Sequence, residues 1–174
     1  MALPKIDTPS YQLELPSNQQ VVKYRPFLVR EQKILMMAQE AENKEDTYNM
    51  LSDIVGGCTF NSIDIKTMPI FDFEYLFLKI RCKSVGETVE LSVLCPDDEK
   101  TRVPVTVNLD IVDVQVEDDH NNVIGVNDSI KIIMRHPTVG DIKSVDEAET
   151  LNNIMKLLKV CIHEIHDGDI IHSM

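Results

Sequence analysis

The stretch from Met68 to Glu87 constrains this chain more than any other. After Asp72, the residues Phe73, Leu76, Phe77 and Ile80 fall at i, i+3, i+4 and i+7, which is one face of an α-helix. Pro69 suits the helix entrance and Gly86 the exit, while Asp72 and Glu74 lie where the helix dipole favours negative charge. Tyr75 and Leu78 widen the apolar face, so the helix is scarcely polar before Lys79, Arg81 and Lys83. A helix this apolar is covered on more than one side. Two readings follow. Either it is a central core helix, or its second face docks another protein.

The rest of the chain reads as an α+β fold. Pro4 and Pro9 keep residues 1–10 extended. Residues 11–15 alternate as a strand, Pro16-Ser17-Asn18 is turn chemistry, and 20–28 returns, which predicts an N-terminal β-hairpin with an exposed edge. Helical spacing predicts one helix from Val29 to about Ala41 and another from Thr47 to Val55. Glu42 to Asp46 forms a charged break between them, and Gly56-Gly57 stops the second, giving an αα-hairpin. Beyond Gly86 the period changes to two. Residues 88–95 and 102–109 form the strongest hairpin signal, with Pro104 marking an edge or bulge. Ile111 to Val116 extends that strand or makes a further short one. Residues 129–135 form another strand, and Thr138 can cap a short helical turn. A C-terminal helix is predicted from Val145 to about Ile165, followed by a tail from about residue 167 to 174. The apolar pair Ile170-Ile171 in that tail points either to a truncated sequence or to a segment lent to a partner. The expectation is thus one α+β domain over 1–174: an N-terminal hairpin, an αα-hairpin, a central apolar helix packed with an antiparallel sheet, and a C-terminal helix.

With 43% apolar residues the chain can bury a real core, and its net charge of −12 argues against nucleic acid and against an anionic membrane surface. No apolar run approaches the ~18 residues of a membrane span. The N-terminus lacks a basic region followed by an apolar one, so no signal peptide is expected and the protein stays in the cytoplasm. Cys58, Cys82, Cys95 and Cys161 are scattered without a C-x-x-C, which reads as reduced, mostly buried thiols.

Catalytic motifs are few. No phosphate-cradling glycine motif and no nucleophile elbow occurs. One local cluster has ligand chemistry: Cys161, His163, His166, Asp167, Asp169 and His172. On a continuous helix His163 and His166 at i, i+3 could face one ion, and a metal-dependent hydrolase built on them is the enzymatic alternative. Yet His163-Glu164-Ile165-His166 is one residue short of the zincin pattern, and histidines near a helix end also suit the dipole. Cys82 and Cys95, joined by Cys58, would still lack a fourth ligand for zinc. The carboxylate runs 97–99 and 117–119 read as solvated turns or as a surface for a basic partner. No cofactor, metal or small-molecule substrate is expected. A regulatory binding module is a further alternative.

The phrase Phe71-Asp72-Phe73-Glu74-Tyr75-Leu76-Phe77-Leu78-Lys79-Ile80-Arg81-Cys82-Lys83-Ser84-Val85-Gly86-Glu87 resembles the signature of the baseplate hub subunit family of T-even-type contractile-tailed bacteriophages. The opening Met1-Ala2-Leu3-Pro4-Lys5-Ile6 and the segment from Tyr24 to Leu35 resemble it too, in the same order, so the likeness spans about residues 1–165. The resemblance implies a non-enzymatic structural or assembly protein of the tail baseplate hub, made in the host cytoplasm and either retained in the virion or released. It implies no active-site residue. On this reading Phe73, Leu76, Phe77 and Ile80 build the core. Some of Tyr75, Leu78, Met36, Met37, Ile170 and Ile171 contact neighbouring hub proteins.

Overall fold

The computed structural model describes residues 8–41, 43–117, 119–144 and 150–173. It is an α+β fold with four α-helices and three separate antiparallel sheets among the described residues. The chain divides into two compact units, Met1–Ile63 with Glu74–Val114, and Asp64–Phe73 with Gln115–Met174.

In the first unit, β1 (Tyr11–Glu14) and β2 (Val21–Tyr24) form the expected hairpin. Its alternation buries Leu15, Val22 and Tyr24 and leaves the intervening residues outside. Helix α1 (Val29–Gln39) follows. The Leu28 N–H donates to the Glu31 carboxylate at 2.9 Å, a cap that fixes where α1 starts. Helix α2 (Lys44–Cys58) packs against α1 as an αα-hairpin. It is longer than its pattern suggested at both ends. Asn43 caps it by accepting from the Asp46 N–H at 2.7 Å, with Glu45 and Asp46 in the first turn, so the charged break is the helix entrance. Gly56-Gly57 does not stop it; the chain reverses one step later, where Phe60 and Asn61 take positive φ.

Helix α3 (Ile70–Val85) is the central apolar helix, and Gly86, at φ 132°, releases the chain from it. Phe73, Leu76 and Ile80 are buried and Phe77 half-buried, as the spacing required. The first residues of α3, through Phe73, belong to the second unit and the rest to the first. Within the first unit the Phe27 and Phe77 rings stand 5.9 Å apart, and the Phe27 N–H donates to the Ser84 hydroxyl at 2.8 Å. Lys79 donates to the backbone carbonyls of Asp110 (2.6 Å) and Val112 (3.2 Å), which pins the loop after the next hairpin. That hairpin is β3 (Thr88–Leu94) with β4 (Arg102–Asn108). Residues 111–116 form neither an extension of β4 nor a strand.

In the second unit the sheet order is β5 (Val123–Gly125), β6 (Ile130–Met134), β7 (Ile162–Asp167), β8 (Ile170–Ser173), all antiparallel. The segment before α3 is strapped to 137–140 by the Val139 N–H to Met68 O and Ile70 N–H to Pro137 O bonds. Asp141 gathers the turn at Thr138, accepting from the Thr138 N–H and hydroxyl at 2.8 Å each and from Arg135 at 2.7 Å. Helix α4 (Thr150–Cys161) is shorter than expected. The predicted start at Val145 lies outside the described residues. Its end is corrected from Ile165 to Cys161, because Ile162-His163-Glu164-Ile165 pairs with β6 and the apolar residues serve a sheet. The tail from 167 is corrected too. Gly168-Asp169 makes a two-residue turn with Gly168 at φ 59°, and Ile170–Ser173 returns along β7 as β8.

Candidate protein interface

The β3–β4 hairpin carries the most unusual surface among the described residues. Its register sets Val89 opposite Val107, Leu91 opposite Val105 and Val93 opposite Val103. Side chains alternate along a strand, so these three pairs share one face, with Thr88, Glu90, Ser92, Leu94, Arg102, Pro104, Thr106 and Asn108 on the other, where Leu94 is the one large exposed aliphatic. Leu91, Val93, Val103 and Val105 are 46%, 46%, 45% and 40% exposed, and Val89 and Val107 are half-buried. A two-stranded ribbon is marginally stable alone in water, and an uncovered aliphatic ladder marks a surface that meets something else.

Both outer edges of this ribbon are blunted. The Cys95 N–H to Thr101 O bond (2.8 Å) and the Leu109 N–H to Glu87 O bond (2.7 Å) set the ladder's phase, so odd-numbered pairs are hydrogen-bonded and even-numbered pairs are not. Pro104, opposite Ser92, therefore takes no donor from the ladder; it removes one from the outward edge of β4. On the outward edge of β3, the Ser92 carbonyl accepts from the Arg102 guanidinium at 3.0 Å. The turn is closed by side-chain bonds: the Asp98 carboxylate accepts from the Lys100 and Thr101 N–H groups and the Thr101 hydroxyl, which holds its pKa down to about 2, the Thr101 side chain contributing most.

The six residues expected to meet partners are spread over both units. In the first, Met36 and Met37 lie exposed on α1. Tyr75 and Leu78 are half-buried on α3, and the Lys79 ammonium stands 5.1 Å from the centre of the Tyr75 ring. Burial, then the charge and hydrogen bonding of Asp113, raise the Tyr75 phenol's pKa. In the second unit, Ile170 and Ile171 are exposed on β8, and being consecutive they face opposite sides of the sheet. Ile154, Met155 and Leu158 on α4 are exposed as well.

The histidine cluster lies on a strand. Ile133 pairs with Glu164 but Met134 with Ile162, so His163 is the extra residue of a β-bulge. The bulge brings both imidazoles to one carboxylate: His166 Nε2 lies 2.8 Å from Glu164 Oε2 and His163 Nε2 lies 3.8 Å from Oε1. The His166 hydrogen bond leads in lowering the Glu164 pKa. His163 also borders a cleft of 780 Å³ with His120, His136, Asn122 and Arg135. There the His120 and His136 rings stack at 6.0 Å and Phe71 meets His136 edge-on at 4.9 Å. Among the described residues no group of three or more His, Cys, Asp or Glu is arranged to hold a metal ion. Cys58, Cys82 and Cys161 are buried free thiols and Cys95 is half-buried; burial raises the first three, Cys58 to about 11.

The sequence pattern announced the hairpin but not its importance. Alternation in both strands already placed six aliphatic residues on one face; what was missing was that, among the described residues, four of them stay 40% or more exposed. An exposed aliphatic face of this kind marks a surface through which a protein meets others. The chain belongs to the family described as T4 bacteriophage base plate protein, whose model matches residues 8–174. It is a T4-type phage baseplate protein, and membership implies contact with other phage tail proteins. No curated protein and no solved structure matches it.

Proposed function

We propose that this chain is a non-enzymatic structural or assembly protein of the baseplate hub, acting by binding other hub proteins. The observation that carries the reading is an uncovered aliphatic hairpin face in a member of a baseplate family. Met36, Met37, Ile170 and Ile171 supply further exposed apolar contacts, and Tyr75 and Leu78 supply half-buried ones. The charge of −12 supports protein partners over nucleic acid or an anionic membrane. No described helix is long and apolar enough to cross a membrane. Assembly takes place in the host cytoplasm, on this reading.

The test is a quantitative mass-spectrometric count of the chain across a sedimentation gradient of phage-infected cells. Stoichiometric presence in finished virions makes it a retained hub subunit. Presence in hub intermediates alone makes it an assembly factor that leaves. Absence from both overturns the reading.

A further inference from the structure

We infer that the Val89-Leu91-Val93 face of the β3–β4 hairpin docks flat against an aliphatic surface edged by Lys or Arg on a different tail protein. The inference rests on the hub reading for where the partner is found, and it adds the surface and its chemistry.

Three observations select this occupant. The first is the blunting of both ribbon edges. Strand addition needs a free row of N–H and C=O groups. Pro104 interrupts that row on β4 and Arg102 occupies the Ser92 carbonyl on β3. The face is open while each edge is interrupted near its middle, which favours sheet-on-surface packing over a long added strand. The second is charge. At the hairpin tip Asp97, Asp98 and Glu99 sit together in the turn with Lys100 as the one cation among them. An aliphatic patch beside an acidic tip fits a partner whose apolar patch has a basic rim. The third argues against a second copy. A two-fold contact sets the same face against itself and brings two chains of charge −12 together. The hydrogen bonds from Lys100 and Thr101 to Asp98 close the turn and pre-organise the acidic tip.

The experiment places a photo-crosslinking amino acid at Val93 or, on the opposite face, at Ser92, in the full chain expressed during infection. Crosslinked peptides are identified by mass spectrometry, and the same gradients show whether each chain still sediments with hub intermediates. The expected result is a Val93 crosslink to one tail-protein peptide that carries aliphatic residues beside Lys or Arg, with little or none from Ser92. A companion variant, Asp97→Lys with Glu99→Lys, leaves Asp98 in place and should cut association with hub intermediates at least ~10-fold, an order-of-magnitude expectation for reversing a rim's charge. A Val93 crosslink to another copy of this chain overturns the inference, as does a crosslinked peptide without basic residues. Equal crosslinking from Ser92 overturns it too, as does no Val93 crosslink in a chain that sediments with the hub; in that last case the hub reading stands. A chain that reaches neither intermediates nor virions removes the hub reading itself, and the inference with it.

Discussion

Arg25 and Glu31 form a two-pronged ion pair inside the first unit, with Nη2–Oε1 at 3.0 Å and Nη1–Oε2 at 3.4 Å, and the Glu31 side chain is 1% exposed. The pair ties the exit of β2 to the first turn of α1. The Arg25 backbone N–H adds a bond to the Cys58 carbonyl at 3.0 Å, which draws in the end of α2. Burial pushes the Glu31 carboxyl up, but hydrogen bonds from Arg25 and the Leu28 amide outweigh it and hold its pKa below the ordinary range. Arg25→Met should therefore cost about 3 kcal/mol, because it leaves the buried carboxylate only the exposed Arg30 at 3.5 Å and the Leu28 N–H as partners. Arg25→Met with Glu31→Leu should regain part of that loss, since the buried charge goes too while the Leu28 N–H loses its acceptor. Urea denaturation of both variants measures this, and a single variant within about 1 kcal/mol of wild type contradicts it.

Asp141 makes a prediction about acid. Its carboxyl is held down to about 2, first by the Arg135 hydrogen bond, with burial opposing and the Thr138 donors assisting. The folded value lies below the unfolded one, so its contribution is complete above about pH 4 and is lost as pH falls toward 2. Because Arg135 is partly exposed, about 2 kcal/mol is an upper figure. Asp141→Asn should flatten the stability profile between pH 4 and pH 2 relative to wild type. Parallel slopes in chemical denaturation across that window would sink the assignment.

The periodic elements were legible because burial and period coincide. Phe73, Leu76 and Ile80 are buried where the 3.6-residue spacing puts them, and the 88–95 and 102–109 alternation gives β3 and β4 within a residue. The end of α4 was not legible. Ile162, Ile165 and the helix residues before them suit one helical face, yet Ile162 and Ile165 are recruited by pairing with Met134 and Ile132, far away in sequence. The short β5 was missed for the same reason: its three residues are a strand only because β6 is there. Asn43 as a helix cap was hidden by the charges around it. For the candidate interface, pattern showed which residues share a face but not which faces stay uncovered. Met36 and Met37 are open, whereas Tyr75 and Leu78 are already half used.

Lys79 links α3 to the loop after β4. It is a buried cation whose two acceptors are backbone carbonyls, Asp110 O and Val112 O. Lys79→Met keeps much of the side chain's apolar length and removes the donor, so about 1.5–3 kcal/mol should be lost. The effect should be local as well as global. Amide hydrogen exchange in residues 110–114 should quicken more than in α2, and uniform quickening would contradict the tether.

Met36 and Met37 test exposure as interface. Both side chains are more than half exposed on α1, so replacing them removes little from the folded state. Met36→Gln with Met37→Gln should leave stability within about 0.5 kcal/mol of wild type. On the proposed hub reading, the same double variant should sediment less with hub intermediates. Unchanged sedimentation with unchanged stability takes α1 out of the contact surface.

Tyr75 decides how far the central helix faces outward. Its ring lies under Lys79, and Asp113 stands close enough to raise its phenol, so it has neighbours within the first unit. Tyr75→Asp would set a new carboxylate beside Asp110 and Asp113 and discard the ring's burial. We expect about 1–3 kcal/mol of destabilisation from those two causes together. Tyr75→Phe keeps the ring and loses only the hydroxyl, so no more than about 1 kcal/mol should go. If Tyr75 also meets a hub protein through its exposed edge, Tyr75→Phe should bind as wild type does while Tyr75→Leu, apolar but lacking the ring, binds less well at similar stability. Thermal melts beside gradient sedimentation separate the two roles. Tyr75→Asp melting like wild type while losing the hub makes the residue chiefly interfacial, and Tyr75→Leu melting lower with undiminished hub association makes it core.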